Sequence, residues 1–273
     1  NPFPPSPKVA EAIAQVLLNQ ADNLKRYPAP ESDELRAVMA QVYQVAPNQI
    51  FVGNGSDEVL AHIFACFFVK DRSVLTPDIG YSFYPVYADT FHVNLVTIAL
   101  KADFSIDVDD YRRPRSGIII ASPNAPPGVL WPLADIEKLL QKHRNAVIVI
   151  DEAYIDFADT PNASAVSLID KYDNLVVTQT FSKSRSLAGL RVGMAFANHS
   201  LIEALNRYKN SFNSYPVVLL APAGEVASLQ DNDYFVACNQ KVIALRHDVT
   251  QALTQLGFTV LPSQANFVFA KPP

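Results

Sequence analysis

This 273-residue chain predicts an α/β fold, a mostly parallel sheet between helices joined to a smaller α/β unit. Three observations carry that expectation. Short β-branched runs recur at 50–52, 73–76, 93–98, 117–121, 146–150 and 174–178, with helical patterns between several of them. Two runs, Gly117-Ile-Ile-Ile-Ala121 and Ala146-Val-Ile-Val-Ile150, are apolar at every position, as strands covered on both faces are. After residue 197 the texture changes to long helical stretches, which marks a second unit.

The elements follow in order. Ser6-Pro7 ahead of residues 8–20 supplies a cap residue and a proline in the first helical position. A proline-broken connector, Arg26 to Ser32, follows, with Ser32 placed to cap a helix over 33–43. The strand at 50–52 runs into the turn Gly53-Asn54-Gly55 and then a helix over 56–69, whose apolar run Ile63 to Val69 faces the core. Another helix covers 133–144. Helices over roughly 200–212, 217–229 and 232–256 come next, then strand candidates at 258–261 and 266–270. The expected division is an N-terminal arm over 1–26, a large unit over 27–230, and the start of a small unit over 231–273, cut short at Pro273.

Composition narrows the function. Hydrophobic residues make up 49% and charged residues 18%, and the net charge of −5 is spread along the chain, which argues against a nucleic-acid surface. No apolar run approaches the roughly 18 residues that span a membrane. The start at Asn1 has neither methionine nor a secretion leader, so the chain reads as trimmed and cytoplasmic. Cys66 and Cys238 lie in apolar helical stretches and read as buried free thiols. Five histidines, at 62, 92, 143, 199 and 247, show no ligand spacing, so no metal is expected.

In an α/β sheet, ligands gather beyond the carboxyl ends of the strands. After 50–52 come the glycine turn and a helix start, whose N–H groups at Ser56 and Asp57 favour an anion. As a dinucleotide fingerprint the stretch ends wrongly, with Glu58 where glycine or alanine belongs, although Asp78 is placed to act as the ribose acid. After 117–121 comes the rigid loop Ser122 to Gly128, presenting Asn124. After 146–150 come Asp151 and Tyr154, and after 174–180 come Ser182 and Lys183, followed by Arg191. Four such groups at successive strand ends suit pyridoxal phosphate. That cofactor needs a lysine for its aldehyde, a carboxylate for its ring nitrogen and a cradle for its phosphate. Lys183 must lose a proton from a reference pKa of about 10.4, which a desolvated site favours. Asn124 and Tyr154 suit the ring hydroxyl, and Ser182 and Arg191 add donors to the cradle. The carboxylates of Asp57 and Glu58 are expected to point away from it.

The stretches SPNAPPG, DEAY, TFSKSRSLAGLRVG and GNGSDE, with these separations, resemble the fold-type-I pyridoxal-phosphate aminotransferases. NPFPPSP, RYPAPES and NSFNSYP narrow the resemblance to the histidinol-phosphate aminotransferases, over essentially the whole chain. The resemblance implies transfer of an amino group from histidinol phosphate to 2-oxoglutarate in histidine biosynthesis. Lys183 matches the cofactor-linking lysine that later moves the substrate proton, Asp151 the ring-nitrogen partner, and Asn124 and Tyr154 the groups on the ring hydroxyl. Tyr81 matches the aromatic that stacks on the ring. Ser56, Asp57, Ser182 and Arg191 match the phosphate cradle. Tyr27 matches the tyrosine that reaches the neighbouring subunit's cofactor phosphate, which implies a homodimer with shared sites. Pro127 and Gly80 stand where the family usually has threonine, and the family's substrate-carboxylate arginine lies beyond Pro273. Asn266 is matched by position without a role. Alternatives are an aromatic aminotransferase, a phosphothreonine-type decarboxylase, a dinucleotide oxidoreductase built on Gly53-Asn54-Gly55, and an inactive cofactor-binding regulator.

Overall fold

Alternation along buried strands assigns each side chain to a face of the sheet, and the helices follow the two apolar faces. The computed structural model describes residues 1–70, 72–112 and 116–273. Helix α1 (Pro7–Gln20) starts as its sequence predicts, with the Ser6 hydroxyl accepting from the Lys8 N–H. The start of α2 (Asp33–Tyr43) does not. Ser32 precedes it at φ +50° and makes no side-chain cap. The turn is held instead by the Arg36 guanidinium, which clasps the Pro47 carbonyl and the Glu31 carboxylate.

Among the described residues seven strands form the main sheet: β1 (Ile50–Gly53), β2 (Ser73–Pro77), β3 (Asn94–Ile98), β4 (Gly117–Ala121), β5 (Val147–Asp151), β6 (Leu175–Thr180) and β7 (Gly193–Ala197). Their order is β1-β7-β6-β5-β4-β2-β3. Pairings among β2 to β6 are parallel, while β7 runs antiparallel to both β6 and β1. Strand β7 lies outside the runs expected from sequence. Its Gly-Met-Ala-Phe-Ala carries no β-branched residue, so propensity leaves it unmarked and its place between β6 and β1 makes it a strand.

On one face α3 (Gly55–Phe67), α4 (Tyr84–Phe91) and α6 (His199–Phe212) cover Phe51, Ile119, Val149 and Val176. On the other, α1, α2, α5 (Leu133–Lys142) and α7 (Ala221–Gln230) cover Val52, Ile120, Ile150 and Val177. Each such buried aliphatic side chain contributes roughly 1.5–3 kcal/mol, so the strand centres are a stiff mount for whatever their ends carry. Helix α7 begins at Ala221 rather than near 217, because Val217 is used in the core and Pro222, lacking an N–H, fits the first turn.

Helix α8 (Asn232–Gln255) leads to a short hairpin of β8 (Thr259–Val260) and β9 (Ala270–Lys271). The strand expected over 266–270 shrinks to its last residue, since Phe267 leaves the pairing to stand edge-on to Tyr154 at 5.1 Å. Arg246 ties α8 to the loop after β5, donating to the Phe157 and Ala265 carbonyls, both at 2.8 Å, and pairing with Asp159. Cys66 and Cys238 are free thiols. Among the described residues no helix is long and apolar enough to cross a membrane.

Candidate active site

Strands β2, β4, β5 and β6 all end at one edge of the sheet. The register there sets Ala121 beside Asp151, Asp151 beside Thr178, and both Gly53 and Thr180 beside Gly193. Alternation turns Asp151 to the α3/α4 face and Glu152 to the other. Asp151 is 5% exposed and accepts from the Tyr84 hydroxyl at 2.9 Å and the Thr178 hydroxyl at 3.0 Å. Burial raises its carboxyl above the ordinary carboxylate range, against the pull of those two donors. Among the described residues no basic side chain pairs with it.

Glu152 accepts from Ser164 Oγ at 2.6 Å, the Ala165 N–H at 2.6 Å and Gln179 Nε2 at 2.9 Å. Burial nonetheless pushes its carboxyl up to about 7. The folded chain therefore holds this proton more tightly than the unfolded chain, whose glutamate titrates near 4.5. Its contribution is fully present below about pH 4.5 and is lost as pH rises to about 7. Denaturant melts from pH 4 to 8 should show wild type losing a few kcal/mol relative to Glu152→Gln across that window. A pH-independent difference would show that Glu152 is ionised throughout.

At the far end of the edge, Gly53 hands β1 to Gly55, which opens α3 at φ +82°. The first-turn N–H groups of Ser56 and Asp57 lack intrahelical partners and point where the helix favours an anion. Two close approaches shape this cradle. A Cβ on Gly193 would stand 2.4 Å from the Gly55 carbonyl carbon and the Ser56 nitrogen, and one on Gly55 would stand 2.6 Å from Arg191 Nη2. Arg191 arrives on a left-handed residue, φ +55°, and its Nη2 lies 3.2 Å from Asp57 Oδ2. Glu58 points away as expected, folding back to accept the Asn54 N–H at 2.5 Å. Asp57 departs from expectation: Arg191 draws its carboxylate over the cavity, where Tyr81 also reaches it at 3.4 Å. Gly193→Ala should displace the cradle backbone, costing about 1–3 kcal/mol of stability and at least about tenfold in affinity for a phosphate-bearing ligand. Thermal melts and ligand titration check it.

Lys183 follows β6, half-buried, with Nζ 5.3 Å from the centre of the Tyr154 ring. Ser182 beside it receives the Thr180 hydroxyl at 3.0 Å. One cavity is lined by Ser56, Asp57, Tyr81, Asp151, Tyr154, Ser182, Lys183 and Arg191, so eight of the residues singled out from sequence converge. Burial, then the Asp57 carboxylate, pushes the Tyr81 phenol up to about 12, so it stays neutral and donates. Tyr81 precedes α4 rather than lying within it.

Asn124 is 3% exposed, and its Nδ2 donates to the Ile79 carbonyl at 2.8 Å. Its Oδ1 is buried with no hydrogen-bond partner among the described residues, 3.6 Å from where a Cβ on Gly80 would stand. Tyr27 does not join this cavity: it is 79% exposed and stacks on Tyr215. The dinucleotide reading loses its support. Strand β1 is an edge strand with an antiparallel neighbour, Glu58 is used as a cap, and Asp78 accepts the Leu100 N–H at 3.0 Å.

Sequence reasoning missed four contributors. Tyr84 and Thr178 hold Asp151, Gly193 makes room for the cradle, and Asn1 Nδ2 donates to the carbonyls of Lys183 at 3.2 Å and Ser184 at 3.0 Å. Tyr84 had a signal, three residues beyond Tyr81 on the same approach to a helix, and Thr178 followed from its register with Asp151.

Comparison with known proteins agrees with this geometry. The family model for aminotransferase class I and II matches residues 1–272. The histidinol-phosphate aminotransferase 2 of Psychrobacter arcticus is 66% identical over 278 residues, covering 100% of this chain and 74% of that protein. The histidinol-phosphate aminotransferase of Pseudomonas entomophila is 54% identical over 274 residues, covering 100% and 77%. Among solved structures, the histidinol-phosphate aminotransferase of Sinorhizobium meliloti in complex with pyridoxal-5'-phosphate superposes with a TM-score of 0.88 at 25% identity, covering 98% of this chain and 72% of that one. The cavity of lysine, buried carboxylate and anion cradle thus sits in a chain that belongs to the class I and II aminotransferases.

Proposed function

We propose that this aminotransferase moves the amino group of histidinol phosphate to 2-oxoglutarate with pyridoxal phosphate, giving imidazole acetol phosphate and glutamate. The observation that carries the reaction class is the convergence of Lys183, Asp151 and the Ser56–Arg191 cradle on one cavity. The substrate rests on relatives that bear that name and match the whole chain.

The residues fit the cofactor. Gly55 and Gly193 keep the cradle clear of side chains, and Asp151 is a buried carboxylate with no basic partner among the described residues. Asn124 Oδ1, in the loop after β4, is a buried polar atom with no hydrogen-bond partner among the described residues. The N–H groups of Ser56 and Asp57, the Ser182 hydroxyl and Arg191 would hold the phosphate. Asp151 would keep the ring nitrogen protonated, Tyr81 would cover the ring face, and Asn124 and Tyr154 would serve the ring hydroxyl. When bound, the cofactor supplies an aldehyde and a cationic ring that accepts electrons from the substrate carbon. Lys183 Nζ would anchor the aldehyde, then take the proton from the substrate Cα and return it one atom further on.

We also propose a cytoplasmic homodimer, in keeping with the two free thiols and with the exposed, stacked pair of Tyr27 and Tyr215. The proposed division is a cofactor-holding unit over 27–230, an arm over 1–26 that packs Val9 into its core, and a second unit from 231. The test is glutamate formation by purified protein supplied with pyridoxal phosphate, 2-oxoglutarate and each candidate amine. Histidinol phosphate should give the highest kcat/KM. Faster turnover of phenylalanine or tyrosine, or carbon dioxide release from phosphothreonine, would overturn the substrate.

A further inference from the structure

Lys209 is a buried titratable group that none of this chemistry uses. It lies on α6 at 0% exposure, where its Nζ donates to the Pro30 carbonyl at 2.6 Å and, more weakly, to the Ser214 carbonyl at 3.5 Å. Among the described residues no carboxylate lies within ion-pair distance of it, and the nearby Glu31 is held by Arg36. Burying an ammonium without a counter-charge is costly, and methionine would fill the space without that cost. Packing alone therefore does not account for a lysine here.

The two carbonyls belong to two loops. One, residues 26–32, carries Tyr27; the other, residues 213–216, carries Tyr215. The Tyr27 and Tyr215 rings stack with centroids 4.6 Å apart and 16° between planes, and Tyr27 remains 79% exposed. Pro28, Pro30 and Pro216 stiffen both loops, so fixing one carbonyl in each fixes the ring pair. A cationic triple donor is suited to bridging two carbonyls that approach from different directions.

We propose that Lys209 is a positioning residue for Tyr27, joining the bases of the two loops so that the ring projects outward toward a phosphate bound by a second copy of this chain. This rests on the homodimer reading above. An exposed tyrosine on an untied loop would lose conformational freedom on reaching that phosphate, whereas the tied and stacked ring has already lost it.

A double-mutant cycle tests the idea on the purified protein, with the pyridoxal phosphate Kd measured by equilibrium dialysis. Tyr27→Phe should raise Kd about tenfold, the loss of one hydrogen bond to a charged group. Lys209→Met should raise it to a similar degree, and the double variant should bind no more weakly than either single one. For the Lys209 variant, kcat at saturating cofactor should stay within about twofold of wild type, because the chemistry at Lys183 is untouched. If Lys209→Met does not fold, Lys209→Gln, which keeps an N–H for a carbonyl, takes its place in the cycle. An unchanged Kd in Tyr27→Phe overturns the shared-site reading and this proposal with it. A weakened Tyr27→Phe beside an unchanged Lys209 variant, or fully additive effects, overturns this proposal and leaves the dimer standing.

Discussion

Lys183→Ala should lower kcat for transamination by about 10⁵-fold or more, near 7 kcal/mol, while leaving the melting temperature within a few degrees. Both parts follow from how the lysine is mounted. Its backbone is fixed by neighbours: the Leu187 N–H donates to the Phe181 carbonyl, the Ser184 hydroxyl bonds Asp156, and Asn1 holds the Lys183 and Ser184 carbonyls. Among the described residues the Lys183 Nζ makes no hydrogen bond or ion pair, and it stands over the face of Tyr154 at 5.3 Å. Such a contact contributes about 0.5–1 kcal/mol, so little of the fold depends on the side chain. Catalysis loses the anchoring amine, which among the described residues is the only amine lining the cavity. Single-turnover kinetics with cofactor in excess measures the loss. A small primary amine in solution should restore part of the rate by entering the space left open. Retention of more than about one per cent of wild-type kcat would remove Lys183 from the mechanism, because proton transfer alone accounts for at least about a hundredfold.

The sheet and its site were legible to different depths, for physical reasons. Strands buried on both faces announce themselves as unbroken apolar runs, and the chemical groups at their ends then converge because parallel strands share one edge. That logic placed β4 and β5 from their unbroken apolar runs, and Asp151 and Lys183 at successive strand ends, from the sequence alone. Strand β7 and the hairpin were harder, since Gly193 to Ala197 and residues 266–271 take their form from partners distant in sequence. The fate of carboxylates was harder still. Nothing local distinguishes Asp57, drawn over the cavity by an arginine 134 residues away, from Glu58, turned back to cap its own helix. Tyr27 marks the other limit: one chain shows it exposed and stacked, and its proposed partner lies on another copy.

Asp151→Asn should lower kcat/KM by roughly 10³-fold, about 4 kcal/mol, and at the same time raise the thermal stability of the cofactor-free protein at neutral pH. The two effects have one cause. Buried beneath Tyr84 and Thr178, with no basic partner among the described residues, the carboxyl of Asp151 is raised above its unfolded value. The folded chain then favours the protonated form, and stability falls as pH climbs from the unfolded carboxyl range toward the raised one. Asparagine removes that charge. It also keeps the packing, because one of the two hydroxyls can turn to accept from the new amide while the other still donates. On the proposed function, a protonated ring nitrogen would sit against Asp151 as its counter-charge, so the carboxylate that costs the cofactor-free fold stability would be the one that keeps the ring electron-accepting. Pyridoxal phosphate should accordingly stabilise wild type more than Asp151→Asn, with the gap widening as pH rises above the ordinary carboxyl range. Calorimetry of both proteins with and without cofactor, beside their kcat/KM values, measures all of this. A variant slow in turnover but no more stable when cofactor-free would show that the folded chain does not raise the Asp151 carboxyl, and that its negative charge costs the fold nothing.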